Sequence, residues 1–243
     1  MEVKKKFLLI ILAVFSLKAF PHDFDKLKVA YPNRIREVTG SYITWNDGMQ
    51  MVVRNPFSSI VKWFGNTKNR DFSMENISYA DFINNNCDPF FRKMYGNTES
   101  EVRKNLVTIY WMSNIYGKRY PLRVTTVNDV DKRLMRISEA LEKLPRAYHK
   151  YVIKPASGFY WRNVAKEKYL SLHSFGIAID INVNYSNYWL WDLQKLKGKT
   201  IPHLHNRIPM EIVEIFEKEG FAWGGHWYHY DTMHFEYRPE LFV

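Results

Sequence analysis

Two short segments of this chain hold residues whose types could do chemistry. Residues 171–180 read Ser-Leu-His-Ser-Phe-Gly-Ile-Ala-Ile-Asp, with His173 just ahead of an alternating apolar run and Asp180 inside it. Residues 226–236 read His-Trp-Tyr-His-Tyr-Asp-Thr-Met-His-Phe-Glu, a stretch dense in imidazoles and aromatic rings. Two imidazoles and a carboxylate form a familiar zinc set: nitrogen and oxygen ligands at about 2.0–2.2 Å leave a fourth position for water. The corresponding chemistry is metal-assisted hydrolysis. Spacing alone does not establish that residues 173, 180 and 234 meet. Taken singly, Asp180 is also compatible with an ordinary exposed carboxylate, and each histidine with a hydrogen-bonded core residue.

The elements that must position these residues are partly legible. Residues 177–183 alternate, with Ile177, Ile179, Ile181 and Val183 on one face and Ala178, Asp180 and Asn182 on the other, which predicts a strand that aims Asp180 away from the apolar core. Gly176 permits a tight entry to it. Alternation around Asn46-Asp47-Gly48 predicts a hairpin over residues 40–54, with Tyr42, Ile43 and Trp45 before the turn and Met49, Met51 and Val53 after it. Thr98 and Glu101 have capping-box spacing, and Val102, Leu106, Ile109 and Met112 or Ser113 follow at helical intervals, predicting a helix there. A second helix is predicted with Asn128 or Asp129 as cap, a stripe of Val130, Leu134, Ile137, Leu141 and Leu144, and a stop at Pro145. A third opens near Pro209, carries Ile212, Val213 and Phe216 inward, and closes at Gly220. Helices and strands in mixed order, without strand-helix alternation, predict an α+β fold with a central antiparallel sheet and flanking helices.

The pattern Ser171, His173, Gly176, Ala178, Asp180, followed some fifty residues later by Asp231, His234 and Phe235, resembles the zinc D-alanyl-D-alanine carboxypeptidase family, which also includes phage L-alanyl-D-glutamate endolysins. The resemblance covers roughly residues 120–240. It implies a hedgehog-like fold, with His173, Asp180 and His234 as the three zinc ligands. It further implies that Asp231 is the catalytic carboxylate that takes the proton of the attacking water and hands it to the leaving amine. Many members place Glu at that position; Asp resembles the endolysin branch. Arg162, in Ser157-Gly158-Phe159-Tyr160-Trp161-Arg162-Asn163, resembles the family arginine that donates to the scissile carbonyl as it becomes an oxyanion; a surface arginine is the alternative. Glu236, on the same strand face as His234, could orient that ring through its other nitrogen, or could be exposed. His229 and Tyr230 are expected as second partners, pocket walls or stacked structural residues, and His226, His203 and His205 as non-ligands.

Composition sets the setting for that chemistry. The 243 residues are 46% hydrophobic and 16% aromatic, which excludes a disordered chain. Residues 1–6 are basic and residues 7–17 largely apolar, the layout of a signal peptide over residues 1–19. The apolar run reaches only about 17 Å as a helix, against about 30 Å of hydrocarbon, so a membrane role is expected only if the segment is retained. Residues 20–118 are expected as an N-terminal extension packed on a catalytic domain of residues 119–243. The single cysteine, Cys87, excludes an intramolecular disulfide. Formal charge is +10 for the whole chain and stays strongly positive without the signal segment, which suits either a solvated surface or a polyanionic partner such as a cell-wall polymer. Export to the periplasm or cell envelope disfavours nucleic acid. The expected partners are peptidoglycan stem peptides and the expected state a monomer. Cleavage of the D-Ala-D-Ala bond is the leading expectation, with an L-alanyl-D-glutamate endopeptidase or a non-catalytic zinc-containing cell-wall-binding module as alternatives. A carboxylate at the base position beside three ligand types favours catalysis over the last of these.

Overall fold

The computed structural model describes residues 25–39, 42–52, 87–155, 157–164, 168–196, 204–227 and 229–243. Residues 1–19, Val53 and His203 lie outside them. In the N-terminal part, helix α1 (Asp25–Ala30) precedes strands β1 (Ile35–Thr39), β2 (Tyr42–Trp45) and β3 (Gln50–Val52), which form an antiparallel sheet in that order. The β2–β3 hairpin turns where the sequence predicts it: Asp47 Oδ1 accepts from Met49 N at 3.0 Å, and Gly48 sits at φ +87°. That backbone region penalises any residue with a Cβ.

Helix α2 (Cys87–Tyr95) buries Phe90, Phe91, Met94 and Tyr95. Helix α3 (Glu99–Arg103) starts at the predicted capping box, with Glu101 N donating to Thr98 Oγ1 at 3.3 Å and Asn97 N donating to Glu101 Oε2 at 2.7 Å. It does not continue to Ser113. Residues Leu106–Tyr110 are instead strand β4, which pairs along its whole length with β5 (Pro121–Thr125). The 102/106/109 spacing suits a helix, but Leu-Val-Thr-Ile-Tyr is rich in branched and aromatic residues that favour a pleated surface, and β5 supplies the partner. The short helix α4 (Ser113–Tyr116) follows β4.

Helix α5 (Val130–Glu142) buries Val130, Leu134, Ile137 and Leu141. Burying a side chain of that size is worth about 1.5–3 kcal/mol, far more than the tenths separating most helix propensities. Its start departs from expectation. Asn128 and Asp129 both adopt the left-handed conformation (φ 59° and 58°), and Asp129 makes no side-chain cap but pairs with Lys132 at 2.6 Å. Pro145 ends that segment and opens helix α6 (Arg146–Val152).

The C-terminal part contains strand β6 (Ala178–Asp180), helices α7 (Trp189–Lys195) and α8 (Met210–Lys218), and strands β7 (Phe221–Trp223) and β8 (His234–Tyr237). Sheet order is β6-β8-β7, all antiparallel. Phe216 of α8 stacks on Phe235 of β8 with ring centroids 3.8 Å apart. The architecture is α+β, but among the described residues the antiparallel pairing is divided among three small sheets rather than gathered in one central sheet. One continuous core joins Leu27, Tyr31, Phe90 and Phe91 to Phe175, the Ile177–Ile181 row and Phe235. Among the described residues no helix is long and apolar enough to cross a membrane.

Candidate active site

His173, Asp180 and His234 come from three different elements. His173 lies in a single 3-10 turn, Leu172–Phe175, capped by Ser171 and terminated by Gly176 at φ +70°. A Cβ on Gly176 would approach Thr125 N to 3.0 Å, so glycine is required both for the reversal and for the close passage against β5. Asp180 ends β6 and His234 begins β8, and the antiparallel register places the two directly opposite each other. Cross-strand partners carry their side chains on the same face. Both faces of β6 are enclosed: Ile177, Ala178, Ile179 and Ile181 are fully buried, so Asp180 faces the site rather than solvent.

The three side chains form a small triangle. His173 Nε2 lies 3.1 Å from Asp180 Oδ1 and 3.2 Å from His234 Nδ1, and His234 Nδ1 lies 3.0 Å from Asp180 Oδ1. Tetrahedral ligands at zinc distances stand about 3.3 Å apart, so a triangle of this size fits such an ion.

The outward hydrogen bonds explain why an ion belongs there. His173 Nδ1 lies 2.7 Å from the Gly158 carbonyl oxygen, which can only accept, so Nδ1 carries a proton and Nε2 is the nitrogen left facing inward. His234 Nε2 lies 3.0 Å from Glu236 Oε2, so its proton points outward and Nδ1 faces Asp180. In the metal-free protein burial opposes a second proton on His234, yet the carboxylates of Asp180 and Glu236 hold its imidazole up to about 10. Burial likewise opposes ionisation of Asp180, while His173 and His234 overcome it and keep the carboxyl well below its usual range. The inner nitrogens of both rings and Asp180 Oδ1 thus converge within 3.2 Å of one another. A cation at the centre satisfies all three, and these residues form a group able to hold a metal.

A metal entering this triangle must displace the His234 proton. Near pH 7 zinc binding is therefore expected to release about one proton per site, with affinity rising as pH is raised toward 10. Titration calorimetry in buffers of different ionisation enthalpy measures this; zero release would show that His234 is already neutral.

Asp231 lies beside the triangle and outside it. Its N–H donates to Gly224 O at 3.0 Å, its carbonyl accepts from His234 N at 3.2 Å, and it bridges to Tyr188. A Cβ at Gly224 would meet the Asp231 carbonyl at 2.4 Å, so glycine is needed for that approach. Asp231 Oδ1 is enclosed and has no hydrogen-bond partner among the described residues. Burial, then the charge of Asp180, pushes its carboxyl up to about 7 against the pull of His234, the Met233 N–H and Arg162. Arg162 is exposed, with Nη1 donating to Asn163 O at 3.2 Å. Its backbone is tied to the His173 turn, because Arg162 N donates to Ser174 Oγ at 2.9 Å and Arg162 O accepts from Ser171 N at 3.0 Å. Its guanidinium lies over the Tyr160 ring at 5.9 Å, and its charge is a minor pull downward on the Asp231 carboxyl.

The remaining candidates divide cleanly. Glu236 is 1% exposed and holds the outer nitrogen of His234, so the buried alternative for that residue is the one observed. His229 packs tilted against Trp189 with ring centroids 4.2 Å apart, and Tyr230 donates to Asp192 Oδ2 of α7 at 2.8 Å, the helix whose first turn follows Tyr188. His226 Nε2 lies 2.9 Å from Glu217 Oε1 and His205 is exposed; neither joins the triangle. Sequence reasoning missed Ser157, whose hydroxyl donates to Asp180 Oδ2 at 3.0 Å and lies 3.3 Å from His173 Nδ1. It also missed the carbonyl of Gly158 and the backbone bridge from Tyr188 to Asp231. The small Ser-Gly pair ahead of Arg162 was the available signal: a Cβ on Gly158 would come within 2.7 Å of Arg123 O.

A family described as D-alanyl-D-alanine carboxypeptidase matches residues 165–237, a stretch that contains His173, Asp180, Asp231 and His234 and begins just after Arg162. No curated protein and no solved structure matches the chain. The motif resemblance and this match agree: the segment carrying His173, Asp180, Asp231 and His234 is similar to the D-alanyl-D-alanine carboxypeptidase family, and three of those residues form a group able to hold a metal.

Proposed function

We propose that this protein is an exported, zinc-dependent peptidase of the cell envelope that hydrolyses peptidoglycan stem peptides, removing the terminal residue of the D-Ala-D-Ala bond. The observation that carries the reading is the convergence of His173 Nε2, His234 Nδ1 and Asp180 Oδ1 within 3.2 Å of one another, inside a segment that matches the peptidase family. Bound there, zinc supplies acidification of a water and polarisation of the peptide carbonyl. Asp231 is the base: its enclosed Oδ1 has no competing protein partner among the described residues, so it is available to accept the water's proton and return it to the leaving amine. Arg162 donates to the carbonyl oxygen as negative charge develops on it. The β6-β8-β7 sheet with α8 packed on it supports a hedgehog-like domain over residues 119–243. The lysines and apolar run of residues 1–17 support export.

Elemental analysis of the purified full chain should find one zinc per molecule, and mass spectrometry of incubated muropeptides should show loss of a terminal D-Ala. Metal-stripped protein should be inactive and recover with added zinc. A cut between L-Ala and D-Glu would reassign the bond to an endopeptidase. Zinc without any cleavage would leave a non-catalytic zinc-containing wall-binding module, and absence of metal would overturn the site.

A further inference from the structure

The ion chain that begins at His234 does not end at Glu236. Glu236 Oε1 accepts from Arg238 Nη1 at 3.2 Å, Arg238 Nε donates to Glu240 Oε1, and Glu240 Oε2 accepts from Tyr31 Oη at 2.7 Å. These four side chains are almost wholly buried, at 1%, 1%, 3% and 2% exposure for Glu236, Arg238, Glu240 and Tyr31. His234 and Glu236 share one face of β8, Arg238 follows just past the end of that strand, and Glu240 comes from the 3-10 turn Pro239–Leu241 that folds back beside it. Tyr31 comes from the other end of the chain, immediately after α1, and Phe91 of α2 lies 5.3 Å from the Arg238 guanidinium.

Such an array is a costly way to fill a core. Buried ion pairs are commonly no more stabilising than well-packed apolar residues of the same volume, so stability alone does not account for three linked charges. Its inner end does. The Glu236 carboxylate is shared, one oxygen toward the His234 ring and the other toward Arg238, so the orientation of the guanidinium sets that of the carboxylate. Glu240 in turn holds the guanidinium, and Tyr31 holds Glu240. Burial, followed by the charge of Glu240, pushes the Tyr31 phenol well above its ordinary range, which keeps it a neutral donor at the end of the chain.

We propose that Arg238, Glu240 and Tyr31 are positioning residues for the metal site: acting through Glu236, they fix the His234 ring with Nδ1 facing inward, and so make the N-terminal segment part of the support of a C-terminal ligand. This rests on the assignment of His234 as a metal ligand. Outer partners of metal-binding histidines fix the tautomer and raise ligand basicity; here that role extends three residues beyond the first partner.

The test uses full-length Tyr31→Phe and Glu240→Gln beside Ile43→Ala. Ile43 is fully buried in β2 and takes no part in the array, so its variant reports the effect of general loss of stability. Zinc affinity is measured by chelator competition, and the cobalt(II) absorption spectrum of each folded variant is recorded. Glu240→Gln should weaken zinc roughly 10–100-fold and Tyr31→Phe by the lower end of that range, both with altered cobalt bands. Ile43→Ala should melt earlier yet keep wild-type affinity and spectrum. Wild-type affinity and spectrum in both array variants would overturn the proposal, as would an equal loss in Ile43→Ala at matched stability. Failure of the wild-type chain to take up zinc would instead remove the metal assignment, and this inference with it.

Discussion

Asp231→Asn is expected to retain one zinc per chain while losing hydrolysis by roughly 10²–10⁴-fold, the usual scale for removing a positioned general base. The substitution keeps shape and removes only the capacity to accept a proton. Asp231 is not one of the three groups in the triangle, so metal uptake should survive. Its backbone is fixed by Gly224 O, His234 N and the bridge to Tyr188, none of which involves the carboxylate, so the fold should survive as well. Burial and the neighbouring Asp180 make an ionised Asp231 costly, which raises its carboxyl to about 7 in the metal-free protein. Replacing it with a neutral amide relieves that repulsion, and the metal-free variant should be no less stable than wild type near neutral pH. Zinc analysis and muropeptide turnover on the same sample decide the matter. Unimpaired turnover would show that Asp231 is not the base, and loss of the metal would make it a ligand.

How far this site was legible before any coordinates depended on what kind of information each residue carries. His173, Asp180 and His234 were named together through the resemblance of their two motifs to a known family, whereas the strand carrying Asp180 was visible as alternation, a local signal, although it spans only Ala178–Asp180 of the alternating run 177–183. That Asp180 and His234 face each other across β6 and β8 is a matter of register between strands more than fifty residues apart, which no local pattern contains. Likewise Glu236 could be placed on the right face by its spacing of two, but its burial depends on Arg238 and Tyr31, and the latter lies 209 positions from Glu240. The helix predicted beyond Arg103 failed for a related reason. The apolar spacing at residues 102–109 suited a helix, and only the existence of β5 as a pairing partner decided for a strand. Asn128 and Asp129 are good capping types used instead to turn the chain, with left-handed backbone at both positions. Elements defined by their own periodicity, such as α5 and α8, were found close to their observed bounds.

Arg238→Met should be among the most destabilising single changes in the chain, at about 3–5 kcal/mol, because it leaves the carboxylates of Glu236 and Glu240 buried without their shared cation. Set against a typical total of about 5–15 kcal/mol for a folded domain, that loss is large enough to be read directly as a lower urea midpoint in the metal-free protein. The length and apolar character of methionine fill much of the guanidinium's space, including the contact with Phe91, so the effect reports charge more than cavity. The companion variant is the triple change Glu236→Gln, Arg238→Met, Glu240→Gln. It removes all three charges together, so most of the lost stability should return, since the penalty comes from unpaired carboxylates rather than from missing contacts. Zinc affinity should not return with it, because a glutamine beside His234 Nε2 polarises the ring less than a carboxylate does. Recovery of stability without recovery of metal affinity separates the structural and the positioning contributions of the same residues. If Arg238→Met unfolds within about 1 kcal/mol of wild type, the range of an ordinary substitution, the two carboxylates do not depend on Arg238 and the chain from Tyr31 to His234 is not a mechanical unit.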